Sequence, residues 1–307
     1  MHTRSQEISG SVAVVGAGFM GWQIALQSAV HGHTVTLIDS SDKALSQAAE
    51  HVKAELERRM RQAEISAQQQ LETLQRLRYS IELAPGVLSV SIVIEAIPER
   101  LELKRELFHR LDQLCPEHTV IATNSSSLRI SEIESATMHK HRLLNMHFYG
   151  LIWEKPMVEL MRGSATSDKT VEAARVFAES IGMTPLFVRK ESTGFLFNRV
   201  WRVIKKESLQ VADQGVATLE DVDRAWMLFM NHQIGPFGIM DTIGLDVVRD
   251  IEMVYYRQSG DPADAPPKFL LDKVERGDLG VKTGKGFYEY PNPAFQQQGF
   301  LRRISAK

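Results

Sequence analysis

Among the ten histidines of the 307-residue chain, His147 ends an apolar β-type run, Arg142-Leu143-Leu144-Asn145-Met146-His147. An imidazole there is a candidate general base for the hydroxyl proton of an alcohol, because its ordinary pKa lies close to neutral pH. Twelve residues on, Pro156-Met157-Val158-Glu159-Leu160 forms a second β-like run in which Glu159 can lie beside the histidine. A carboxylate on one ring nitrogen fixes the tautomer and raises the basicity of the other nitrogen. Taken singly, His147 also reads as a structural histidine and Glu159 as a surface strand residue. Ser126, within Asn124-Ser125-Ser126-Ser127, is a candidate donor to a substrate oxygen and reads equally as a helix N-cap before Leu128. Asn198 is a second candidate donor, and next to Gly194 it reads equally as a turn or cap.

Oxidising an alcohol also needs a hydride acceptor, and residues 12–39 carry the pattern of a site for one. Val12-Ala13-Val14-Val15 is followed by Gly16-Ala17-Gly18-Phe19-Met20-Gly21, a helical run and Thr34-Val35-Thr36-Leu37-Ile38-Asp39. A G-x-G-x-x-G placed between strand and helix, with an acid ending the second strand, is the dinucleotide fingerprint. Gly16 permits the tight turn, Gly18 lets a pyrophosphate approach the backbone, and Gly21 lets helix and strand pack closely. The helix N-terminus then faces the phosphates with free N–H groups. Asp39 accepts from ribose hydroxyls and repels a 2′-phosphate, and Ser40 and Ser41 follow where an NADP site would place an arginine. NAD is therefore the expected cofactor. A Gly-x-Ser-x-Gly elbow, which would favour a hydrolase, does not occur.

The elements that must position these residues follow from periodicity. Residues 42–78 carry apolar side chains at three- and four-residue steps and predict an amphipathic helical hairpin. Strands are expected at 90–96, 119–123 and 142–147 and helices at 101–115 and near 130–134, an alternation that runs to Val188. This pattern predicts an α/β fold: a Rossmann-type, doubly wound, mainly parallel sheet whose ligands sit at the carboxyl ends of its strands. From about Glu191 strand signals cease, and helices are expected at 197–214, 219–230, 240–256 and 268–276. The division is thus an NAD-binding domain over 1–190 and an all-α domain over 191–307, with the seam near 189–193. A net charge of −2 supplies no basic excess for nucleic acid or an anionic membrane, and no apolar run approaches a membrane span. The single Cys115 fits a reducing cytoplasm.

Eight blocks in order extend the pattern: the glycine turn, Ile94-Glu95-Ala96-Ile97-Pro98-Glu99, Asn124 to Leu128, Met146-His147-Phe148, Val158-Glu159, Gly194 to Arg199, Gly235-Pro236-Phe237-Gly238 with Gly244-Leu245-Asp246, and Lys282 to Tyr288. Together they resemble the 3-hydroxyacyl-CoA dehydrogenase family over nearly the whole chain. The resemblance implies NAD-dependent oxidation of an L-3-hydroxyacyl-CoA to the 3-ketoacyl-CoA, in a subunit whose helical domain forms a homodimer. It also implies His147 as base, Glu159 as its orienter, Ser126 and Asn198 as donors to substrate oxygens, and Glu99, Lys104 and Lys282 as contacts to NAD.

Three departures from the family pattern bear on the acyl carrier. The family's His-Phe-Phe-Asn-Pro becomes His147-Phe148-Tyr149-Gly150-Leu151. In the hairpin, Glu55 and Gln62 stand where family members place a Ser and a Lys against coenzyme A, with Arg58, Arg59 and Arg61 close by. Ile152-Trp153-Glu154-Lys155 stands where the acyl chain should enter. The same chemistry on a free β-hydroxy acid or a carrier-protein-bound acyl group is the alternative. A protein that keeps the fold without turnover should have lost the base or its orienter, and both residue types are present.

Overall fold

The computed structural model describes residues 10–302, apart from the side chain of Gln258. The first half of the chain runs β1 (Val12–Val15), α1 (Phe19–Val30), β2 (Val35–Ile38), α2 (Asp42–Arg61), α3 (Ala67–Arg76), β3 (Leu77–Ser80), α4 (Leu83–Val87), β4 (Ile92–Glu95), α5 (Leu101–Leu114), β5 (Val120–Thr123), α6 (Ile130–Ile133) and β6 (Leu143–Phe148). It continues through β7 (Met157–Arg162), α7 (Asp168–Ser180), β8 (Thr184–Val188), α8 (Phe197–Asp213), α9 (Leu219–Met230), α10 (Pro236–Ile243), α11 (Leu245–Ser259) and α12 (Lys268–Glu275). These elements divide into two compact units, with the division after Leu196. It falls a few residues beyond the change of composition because Ser131 N donates to Glu191 at 3.0 Å and Leu196 N donates to Glu159 Oε1 at 2.9 Å. No helix among the described residues is long and apolar enough to cross a membrane.

In the first unit the strands lie in the order β3-β2-β1-β4-β5-β6-β7-β8. All neighbours are parallel except β6 and β7, so the sheet is the expected mainly parallel, doubly wound one. Alternation along single strands shows helices on both faces. Val12 and Val14 of β1, Ile92 and Ile94 of β4, and Val120 and Ala122 of β5 join one core with α1, α2 and α7. Ala13, Val15, Val93 and Ile121 join the other, with α4, α5 and α6. Burial on both faces explains why these strands read as continuous apolar runs.

Two expectations are corrected. The helical hairpin ends at Arg76, and Leu77 and Arg78 open β3, which pairs parallel with β2. Leu77 sustains the three-residue leucine step, yet its backbone completes the edge of the sheet, and pairing outweighs local periodicity. The single helix expected over 240–256 is two helices, because the backbone at Gly244 turns to φ 101° and separates α10 from α11.

The second unit packs around Leu209, Met227, Phe237, Met240, Leu245 and Val248. Two buried aspartates fasten its C-terminal segment. Asp223 on α9 accepts from Phe237 N at 2.8 Å, Gly238 N at 3.0 Å and the Tyr288 hydroxyl at 2.9 Å, and so caps α10 from a neighbouring helix. Asp241 accepts from Phe287 N and Tyr288 N, both at 2.8 Å, and from the Tyr290 hydroxyl at 3.0 Å. The glycine-punctuated tail is therefore held by a defined set of acceptors.

Burial pushes the Asp223 carboxyl up to about 6, against the pull of its two backbone donors and Tyr288. Between the ordinary carboxylate value near 4 and this value, the folded unit binds a proton that the unfolded chain releases. That contribution to stability is fully present below pH ~4 and is lost as pH rises through about 6. Asp223→Asn removes the titration, so chemical unfolding followed across this window should show the falling slope flatten by about 1 kcal/mol per pH unit. An unchanged slope would mean that Asp223 is ionised throughout.

Candidate active site

The order of the strands reverses between β1 and β4, and ligands of doubly wound sheets bind beyond the carboxyl ends at such a reversal. Gly16 leaves β1 at φ 107°, and a Cβ there would lie 2.5 Å from the Ala96 carbonyl oxygen at the end of β4. A Cβ on Gly21 would lie 1.7 Å from the Gly16 carbonyl oxygen, whereas one on Gly18 would meet nothing within 4 Å. The turn is thus closed by two glycines and open at the third, where a pyrophosphate must approach. No side chain caps the N-terminus of α1, which leaves its first N–H groups directed at that opening. Asp39 Oδ2 accepts from Ala17 N at 2.8 Å and Oδ1 from Ser41 N at 2.9 Å. Each oxygen keeps a further lone pair for a ribose hydroxyl. These residues fit NAD.

Beyond β4 lies a buried polar network. The Lys104 ammonium donates to Glu95 Oε1 at 2.6 Å and to the Ile97 carbonyl at 3.3 Å, and pairs with Glu99 Oε2 at 3.2 Å. Burial pushes the Glu95 carboxyl up, while Lys104, the Thr123 hydroxyl and Ile97 N counter that by donating to it. Burial also acts to raise Glu99, but Ser125, Lys104 and Ser127 outweigh it and hold Glu99 below the usual carboxylate range. Glu99 accepts from the hydroxyls of Ser125 and Ser127 and from Ser127 N. This set ties the turn after β4 to the Asn-Ser-Ser-Ser loop after β5. Lys104 is 1% exposed with its ammonium engaged, so it acts on the cofactor end of the sheet by holding Glu99 and the Ile97 carbonyl.

His147 faces Glu159 directly in the antiparallel register of β6 and β7. His147 Nδ1 lies 2.9 Å from Glu159 Oε2, with the two residues 4% and 0% exposed. A carboxylate only accepts, so Nδ1 carries the proton and Nε2 has the free lone pair. The Phe195 and Tyr149 rings stand 4.7 Å and 4.5 Å from the imidazole, and the Tyr149 hydroxyl also donates to Glu159 Oε2 at 2.7 Å. Asn124 Oδ1 accepts from Phe148 N at 2.8 Å and fastens the serine loop to the histidine's strand.

The loop after β6 is fixed to the cofactor turn. Gln23 Oε1 on α1 accepts from Leu151 N at 2.8 Å and Ile152 N at 3.3 Å. A Cβ on Gly150 would come within 2.7 Å of Phe19 Cε1, so the glycine lets this loop pass the exposed phenylalanine of the turn. In the hairpin, Glu55 accepts from Arg58 Nε and Nη2 and from Arg59 Nε, each at 2.8 Å. The Arg59 guanidinium lies 4.7 Å from the Trp153 ring centre. The acid is neutralised where it stands.

The structure brings His147, Glu159, Asn124 and the 125–127 serines together at one end of the sheet. Ser126 is exposed and caps no helix: α6 begins only at Ile130, with Arg129 as its N-cap, and Ser125 closes a turn by accepting from Leu128 N at 2.8 Å. Asn198 lies in the first turn of α8 in the second unit, where Lys282 pairs with both Asp246 oxygens at 2.6 Å. Sequence reasoning missed Asn124, Gln23 and Tyr149. Their polar type next to a glycine turn or a strand end is the only signal they carry, and their partners are remote in sequence.

Taken with the comparisons, the glycine turn and Asp39 define an NAD-dependent oxidoreductase. The family model of the 3-hydroxyacyl-CoA dehydrogenase NAD binding domain matches residues 11–192, and that of the 3-hydroxyacyl-CoA dehydrogenase C-terminal domain matches residues 194–290. The chain belongs to the 3-hydroxyacyl-CoA dehydrogenase family. It is 36% identical over 279 residues to a probable 3-hydroxybutyryl-CoA dehydrogenase of Bacillus subtilis, covering 91% of this chain and 96% of the relative. The crystal structure of (S)-3-hydroxybutyryl-CoA dehydrogenase from Ralstonia eutropha matches with a TM-score of 0.84 at 34% identity, over 91% of this chain and 98% of the other. A diketoreductase with substrate-directed dual catalysis of dicarbonyl compounds matches with a TM-score of 0.82 at 31% identity, over the same shares.

Asp39→Ala removes the carboxylate that fits a ribose and two internal hydrogen bonds. Affinity for NADH should fall on the order of tenfold, about 1.4 kcal/mol, and the preference over NADPH should shrink. Fluorescence titration of both cofactors checks this, and an unaltered ratio would remove Asp39 from the ribose.

Proposed function

We propose that the chain oxidises an L-3-hydroxyacyl-CoA to the 3-ketoacyl-CoA, with His147 as general base. The observation that carries this reading is the buried 2.9 Å contact between His147 Nδ1 and Glu159 Oε2 at the end of β6. Bound NAD supplies the hydride acceptor. His147 Nε2 takes the hydroxyl proton as the carbon–hydrogen bond breaks, and Glu159 stabilises the imidazolium that results. Ser126 and Asn198 act as donors to the substrate oxygens, and the protonated imidazole meets charge on the carbonyl-like oxygen in the reverse direction. Glu99 and Lys282 contribute on the cofactor side, Lys104 through Glu99. A lone, buried Cys115 suits a reducing cytoplasm.

A free β-hydroxy acid or a carrier-protein-bound acyl group is the second reading, favoured by the hairpin. Glu55 engages both Arg58 and Arg59, which leaves Arg61 as the exposed guanidinium of that helix end for a phosphate-bearing ligand. Steady-state oxidation with NAD should favour 3-hydroxybutyryl-CoA over free 3-hydroxybutyrate in kcat/KM, and equal or better use of the free acid would exclude the CoA reading. His147→Ala should lower kcat by roughly 10²–10⁴ while NADH binding persists. Undiminished turnover would remove His147 as the base.

The helical unit is the proposed homodimer surface. Val200 and Val203 on α8 and Val247, Ile251 and Val254 on α11 are exposed at helical spacing, an apolar area of the kind that a second copy covers. Sedimentation should show twice the mass of the chain, and Val203→Glu combined with Val254→Glu should yield monomer. A monomeric parent would overturn the assignment.

A further inference from the structure

Tyr149 stands two residues after the base, where the resembling family carries a phenylalanine. Its hydroxyl donates at 2.7 Å to Glu159 Oε2, the oxygen that accepts from His147 Nδ1 at 2.9 Å. Its ring also covers the imidazole at a centroid distance of 4.5 Å. The other carboxylate oxygen accepts from Leu196 N at 2.9 Å. One phenol thus packs on the histidine and shares its counter-charge.

We propose that Tyr149 is a positioning residue for the His147–Glu159 pair: by sharing Glu159 Oε2 with the imidazole, its hydroxyl sets how tightly the pair holds its proton. This rests on the reading of His147 as the base. A carboxylate oxygen has lone pairs for two donors, and the second donor draws charge from the oxygen and weakens its pull on Nδ1–H. The second donor thus moderates how strongly the pair retains its proton, and a neutral imidazole is the form an alcohol oxidation needs. Within the first unit, Glu159 on β7, Tyr149 in the loop after β6 and the uncharged ring of Phe195 contact the imidazole. Leu186 on β8, in register with Glu159, and Asn124 after β5 add no charge. A phenylalanine would keep the packing and remove this donor from the oxygen that the imidazole shares. The phenol therefore tunes the pair without altering its shape.

The test is Tyr149→Phe in the full chain, read in two ways. One is the titration midpoint of His147, followed by NMR on isotope-labelled histidine and assigned with His147→Gln. The other is the pH dependence of kcat/KM for 3-hydroxybutyryl-CoA oxidation with NAD. Without the phenol the pair holds its proton more tightly, whichever partner carries it. The midpoint should therefore rise by roughly 0.5–1 unit, with the acidic limb of kcat/KM following. A midpoint that stays or falls overturns the proposal. A midpoint that rises while the limb stays leaves Tyr149 acting on the pair and overturns His147 as the base. A loss of rate without either shift marks Tyr149 as packing alone and also overturns the proposal.

Discussion

The antiparallel register between β6 and β7 is the constraint on which the site depends. Side chains alternate across a strand, so a slip of one residue would send Glu159 to the opposite face of the sheet and leave His147 buried beside an apolar neighbour. The paired register places both residues on one face at the same end, where β1, β4 and β5 also deliver their loops. Leu196 N then holds the far oxygen of the carboxylate and Asn124 holds the backbone beyond the histidine. Four segments remote in sequence thus converge on one histidine–carboxylate pair.

Coupling to the cofactor turn is steric and polar. Gln23 is wholly buried on α1, bridges back to the Phe19 carbonyl at 2.9 Å and receives the two N–H groups of the loop that follows His147. The helix that opens at the glycine turn therefore also fixes the loop next to His147. Gly150 and Phe19 fit each other in the same place, which gives a physical reason for the missing asparagine of the family pattern. On the other side of the turn, the Lys104–Glu95 pair is expensive to bury, and replacing both by apolar groups need not destabilise the fold. Its value lies in position, because it holds Glu99 and through it the serine loop.

The hairpin shows how a local departure from a family pattern is absorbed. Glu55, read alone, is an anion where a phosphate-bearing ligand is expected. With two guanidinium groups on it and one of them lying against Trp153, it organises the helix face and its negative charge is compensated.

Local physics was enough for the glycine turn, the acid that ends β2, the apolar strands and the change to helices, because each depends on backbone sterics or on periodicity within one segment. The pairing of His147 with Glu159 was also legible, since two short strands close in sequence readily pair. Three features were not legible: the strand at Leu77, the break at Gly244, and the turn made by Ser125 where Ser126 was expected to cap a helix. Each is fixed with the help of a partner elsewhere in the chain: an open sheet edge, the Leu279 carbonyl that accepts from Leu245 N beside the positive φ of Gly244, and Glu99 reaching across from another loop. Tyr149 is the clearest case. Its type and position are plain in the sequence, but only the folded sheet puts a carboxylate oxygen within reach of its hydroxyl, because that oxygen belongs to the next strand.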